Sequence, residues 1–111
     1  MNPKPRKKQP TFAFRLRLPK AIHELESALH DAQDQGWKPV DRDRVCDIAF
    51  TLAGAFQVED LRDAAVMSRS LGCLMKLTRE QILPIEAAFR EKLQEILGFL
   101  KDTSEEALTG S

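Results

Sequence analysis

The side chains best equipped for chemistry are two histidines, His23 and His30, and two cysteines, Cys46 and Cys73. Nucleophilic catalysis needs a nucleophile within reach of a base, and neither histidine falls in a pattern that activates a serine or a cysteine. On a helix the two histidines would share a face near Glu26 and Asp34. Their seven-residue spacing still puts the side-chain roots roughly 10 Å apart, too far for a shared metal ion, so they read as a polar flank. The cysteines lack both metal-ligand spacing and a disulfide framework, which makes a reducing cytoplasm the expected compartment. Asp41 with Asp43, and Glu105 with Glu106, read as a helix cap and a solvated tail. There is no glycine-rich phosphate loop, nucleotide fingerprint or EF-hand loop. The expectation is a protein that is not an enzyme and uses no metal or cofactor.

The elements that would carry these residues follow from composition and periodicity. A chain of 111 residues, 42% apolar and 31% charged, supports one core rather than two. No apolar run is long enough to span a membrane, and the basic N-terminus lacks the apolar segment of a secretory signal. The zero net charge conceals an asymmetry: residues 1–20 carry seven cations (Lys4, Arg6, Lys7, Lys8, Arg15, Arg17, Lys20) and no acid. The rest of the chain holds the matching acidic excess, which would repel nucleic acid. Residues 1–10, with three prolines, are expected to be a disordered basic tail.

Phe12, Phe14, Leu16 and Leu18 alternate with other residues in a period of two, which predicts an extended N-terminal arm across the bundle or a first helical turn. A first helix is expected from Pro19 or Lys20, carrying Ile22, Leu25, Leu29 and Ala32 and stopping near Gly36. Asp41 or Asp43 is the expected N-cap of the second helix. On that helix Val45, Ile48, Ala49, Leu52 and Phe56 face the core, while Cys46, Asp47, Phe50, Gly54 and Gln57 turn away. The run Val58-Glu59-Asp60 is expected to close the second helix, and a third is predicted from about Asp60 to Leu77, with Leu61, Ala64, Ala65, Ser68, Leu71 and Met75 at helical spacing. Thr78 with Gln81 fits a capping box, and a fourth helix is predicted from near Pro84 to Lys101, with Ile85, Phe89, Leu93, Ile96 and Leu100 on one face. Residues 102–111 read as a polar tail. The expected fold is all-α: an antiparallel four-helix bundle over residues 11–101.

The run Ala49-Phe50-Thr51-Leu52-Ala53-Gly54-Ala55 resembles the signature helix of histidine-phosphotransfer (HPt) domains, in which His-x-Leu-(Lys or Ala)-Gly-(Ser or Ala) follows an alanine. Leu18-Pro19 with Ile22 and Leu25, and Leu61 with Ala64 and Ala65, resemble the flanking helices, so the likeness spans residues 12–101. Phe50 stands where the family has its phospho-accepting histidine, and a phenyl ring has no nitrogen to phosphorylate. In addition, Ala55 runs directly into Phe56-Gln57, where the family places about three more residues, close to one helical turn of roughly 4.5 Å.

In the family the histidine projects outward to meet a receiver domain, and the glycine lets that partner approach. The resemblance therefore implies a degenerate, noncatalytic adaptor in bacterial two-component signalling. It would bind a response-regulator receiver domain or a histidine kinase through Asp47, Phe50, Ala53, Gly54 and Gln57, without carrying the phosphoryl group. An exposed phenyl ring forgoes about 1.5 to 3 kcal/mol of burial, so Phe50 calls for a cover: another protein, a second copy of the chain, or the N-terminal arm through Phe12 and Phe14. Two other functions stay open. One is phosphotransfer through a displaced histidine, His30 or His23; the other is a structural bundle that self-associates, a homodimer pairing its Phe12–Leu18 segments.

Overall fold

Thr11 begins the first helix by turning its side chain back onto the backbone: Oγ1 accepts from the Phe14 N–H, and the Thr11 carbonyl accepts from Arg15. The computed structural model describes residues 11–78 and 87–109, and in them the chain forms α1 (Phe12–Asp34), α2 (Pro39–Val58), α3 (Arg62–Thr78) and α4 (Ala87–Thr109). No strand occurs among the described residues, and no described helix is long and apolar enough to cross a membrane. The basic tail of residues 1–10, Gln81 of the proposed capping box, Pro84, Ile85 and the Phe89 side chain lie outside the described residues.

Phe12–Leu18 is helical, not an extended arm, and α1 starts seven residues ahead of Pro19. The period-two pattern is also a sum of two helical rows: Phe14, Leu18, Ile22 and Leu25 run down the inner side, and Phe12 with Leu16 forms an outer ridge. Tertiary contacts decide between the readings. The Phe14 ring meets Phe56 edge-on at 5.8 Å. The Thr11 N–H and hydroxyl donate to the two carboxylate oxygens of the buried Glu59 at 2.9 and 2.8 Å. Pro19, inside the helix, leaves the Arg15 carbonyl without an intrahelical donor, a local cost these contacts offset.

Two helices end in the same way. At Gly36 (φ 76) and at Asp60 (φ 61) the chain enters the left-handed region. The next N–H then reaches back five residues, Trp37 to the Ala32 carbonyl and Leu61 to the Phe56 carbonyl. This six-to-one closure satisfies orphan carbonyls and folds an apolar side chain, Trp37 or Leu61, back against the core. The second helix opens at Pro39, with Lys38 as its N-cap and no side-chain capping bond, so neither Asp41 nor Asp43 caps it. Proline at the first helical position sets the entry, and Asp41 sits in the first turn, where a carboxylate favours the helix dipole. The buried Arg42 beside it donates to the Thr78 carbonyl at the end of α3.

Each helix packs on two neighbours, in the ring α1, α2, α3, α4. Of the row predicted for the third helix, Ala64, Ala65, Ser68, Leu71 and Met75 are buried, as are Leu93, Ile96 and Leu100 of the fourth, while Leu61 precedes α3 in the turn and is half-buried. The expected polar tail from Asp102 is instead helix as far as Thr109, with Ser104 buried and Ala107 against the core. No breaker interrupts the run Glu105-Glu106-Ala107-Leu108, so the helix continues wherever packing rewards it.

Replacing Glu59 with alanine removes the acceptor of both Thr11 bonds. Urea unfolding of Glu59→Ala is expected to show a loss of about 1.5 to 3 kcal/mol, the usual scale for hydrogen bonds to a charged group. An unchanged midpoint would show that the first turn of α1 contributes nothing to stability.

Candidate functional site

The face singled out in the sequence lies on α2, and α2 is flanked on both sides. Down one flank Cys46, Phe50, Ala53 and Gln57 follow each other at helical spacing and run along α3. The side chain of Arg69 in α3 donates to Gln57 at 3.1 Å. The tip of the Phe50 ring lies over Gly72, so close that a Cβ built there would stand 3.0 to 3.1 Å from three ring atoms. On the other flank Ile48, Thr51, Leu52 and Ala55 look toward α1. Between the flanks runs a narrow crest that includes Gly54.

This division corrects the expected contact set. Ala53 is buried, 3% exposed, and offers nothing to a partner, because α3 covers its flank. Phe50 is 37% exposed: it points out of the bundle but leans on α3. Part of its cover is therefore intramolecular and comes from Gly72, not from Phe12 or Phe14. Phe12 is exposed, and Phe14 is committed to Phe56. Asp47 and Gln57 are exposed on opposite flanks, Asp47 toward α1 and Gln57 toward α3. Ile48, expected in the core, is half-buried at the α1 seam. What remains open to a visitor is a strip made of Asp47, Phe50, Gly54 and Gln57.

Gly54 has no structural occupation of its own. A Cβ placed there would meet no atom within 4 Å, and its backbone is ordinary helix. A glycine in a helix interior costs about 0.5 to 1 kcal/mol relative to alanine, and no neighbour among the described residues requires it. Gly72 is the opposite case, since its missing side chain is the seat of the Phe50 ring. Sequence reasoning missed Gly72, because a lone glycine within an α-helical pattern does not say which residue, 22 positions earlier, will rest on it.

The polar groups around the strip do not form a reactive constellation. Burial, and then the Asp47 carboxylate, pushes the Cys46 thiol up, while Lys76 pulls the other way. Cys73 is exposed on α3, and both cysteines are free. His30 sits 3.4 Å from Asp34, both well exposed at the far end of α1, and His23 is also exposed. Neither histidine adjoins the α2 strip, and no group of three or more metal-ligating side chains gathers among the described residues. Compared with known proteins, the chain matches no family model, no curated protein and no solved structure.

Three outcomes follow from these environments. Gly72→Ala should drive the Phe50 ring off α3 and cost about 1 to 3 kcal/mol, the range for overpacking. Phe50→Ala in the same chain should remove most of that penalty, which a double-mutant cycle in urea measures. Iodoacetamide at about pH 8 should label Cys73 before Cys46. Because the raised Cys46 value belongs to the folded state, the native chain holds its proton longer than the unfolded one. Stability should therefore fall as pH rises past the ordinary thiol value of about 8.5. Equal labelling rates would contradict the assigned environment.

Proposed function

We propose that the protein is a noncatalytic, HPt-like adaptor that binds a receiver domain or a histidine kinase through the α2 strip. The observation that carries this reading is Gly54 on an open helical crest one turn beyond a half-exposed phenylalanine. A bare glycine beside an aromatic ring suits a partner whose backbone comes close and whose apolar surface covers the ring. The contact set is Asp47, Phe50, Gly54 and Gln57, with Ala53 acting only from beneath as packing for α2. An antiparallel bundle belongs to the same reading. It is supported by the end-to-start contacts: Thr11 with Glu59, Asp31 with Arg44 at 3.0 Å, and Arg42 with Thr78. Phe50 has no lone pair for a phosphoryl group, so the adaptor would modulate phosphoryl flow without accepting it.

The test is binding of the purified chain to receiver domains and histidine kinases encoded in its source genome, by calorimetry. Phe50→Ala should weaken binding by roughly tenfold or more while the bundle stays folded. Gly54→Ala should raise unfolding stability by about 0.5 to 1 kcal/mol and yet weaken the same complex. Stability gained together with affinity lost is a combination that a purely structural glycine would not produce. Phe50→His probes the ancestry of the site: phosphorylation of that variant by a receiver would support the lineage. Absence of any binding partner, or binding indifferent to Phe50 and Gly54, would defeat the proposal.

A further inference from the structure

The flank of α2 that faces α1 forms a second surface, which meets the strip at Asp47. Between the two helices lies an apolar groove of about 670 Å³, floored by Leu18, Leu52 and Ile48 and walled by Ala13, Ala21 and Ala55. Glu24 of α1 and Asp47 of α2 both line its middle, and neither pairs with a cation among the described residues. Arg17 lies toward the Thr11 end, where Glu59 is already held by Thr11. Next to the groove, on the outer side of α1, stands the ridge Phe12, Leu16 and Lys20. Phe12 is 69% and Leu16 61% exposed, and Val58, on the rim of the groove at the same end, is 76% exposed. One chain thus presents both an apolar, acidic groove and an apolar, basic ridge.

We infer that the groove between α1 and α2 receives the Phe12–Leu16–Lys20 ridge of a second copy of the chain, reciprocally, across a two-fold axis running along α1. The register fits. The Thr11 contact with Glu59 and the Arg44 contact with Asp31 set the start of α1 level with the end of α2. Under an axis parallel to α1, each ridge residue meets the groove at its own height. Phe12 and Leu16 then lie beside Ala55 and Val58, and Lys20, about 6 Å short of the level of Glu24 and Asp47, reaches them with its four-carbon side chain. The ridge from Phe12 to Lys20 and the groove from Ala55 to Asp47 each cover eight residue steps, about 12 Å of helix. Ala13, between ridge and groove, is small enough for the two α1 helices to approach closely. A self-complementary patch that carries both halves of each contact is what a closed two-fold interface requires. Phe50, Gly54 and Gln57 stay free on both copies, and Asp47 is the one residue that borders both this groove and the α2 strip.

Sedimentation equilibrium of the full chain tests it. The expected result is a dimer that Leu16→Asp dissociates. Leu16 is exposed, and an unchanged helical circular dichroism spectrum would confirm that the fold survives. Lys20→Glu and Glu24→Lys should each weaken self-association by roughly tenfold or more. An equimolar mixture of the two should re-form a dimer, because reversing both signs restores the cross-copy pairs. Phe50→Ala should leave the dimer intact. A chain that stays monomeric at sub-millimolar concentration overturns the inference, as does a dimer indifferent to Leu16→Asp or a mixture that fails to recombine. A dimer lost in Phe50→Ala would place self-association on the α2 strip and overturn it too.

Discussion

The two flanks of α2 are both in use, and the surface chemistry of the protein depends on how its side chains divide between them. Val45, Ala49, Leu52 and Phe56 are spent on the interior. Ala53 and much of Phe50 are spent on α3, while Ile48 and Ala55 border the cleft toward α1. A helix with three neighbouring environments has only a thin outer edge left. On that edge a single residue without a side chain, Gly54, changes how near another molecule can come.

The α2 and α3 pairing rests on a match of opposites. A phenyl ring needs a flat seat, and the backbone of Gly72 provides one where any Cβ would intrude on the ring. Arg42 and Thr78 tie the same pair of helices at one end, and Gln57 and Arg69 lie across it farther along. Phe50 is therefore half exposed and half structural. Binding through it would start from a ring already oriented by α3, which lowers the entropy lost when a side chain is immobilised at an interface.

The α1 side is held differently. Its first turns are fastened by Thr11 to Glu59 and by Phe14 to Phe56, contacts at the tip of the bundle. Farther along, small side chains leave the two helices separated by a trough. Phe12, Leu16 and Val58 are left exposed at that end, and exposed apolar side chains gathered at one end of a domain often mark an association surface.

Much of the architecture was legible from local pattern. The number of helices, the stops near Gly36 and Asp60, and most of the inward rows of α2, α3 and the described part of α4 follow from helical periodicity and from local helix-ending residues, because those are short-range properties of the chain. Periodicity also turned Phe50 outward. It could not show that the outward side of α2 is divided, since the direction from which α3 approaches is set by long-range packing; hence Ala53 is buried and Gly72 went unnoticed. The start of α1 was undecided for the same reason. Phe12 to Leu18 satisfies a period of two as well as two helical rows, and only the docking of Phe14 on Phe56 and of Thr11 on Glu59 selects the helix. Sequence alone determined which residues are apolar and how often they recur; tertiary structure decided which neighbour each one meets, because a contact between residues distant in the chain has no local signature.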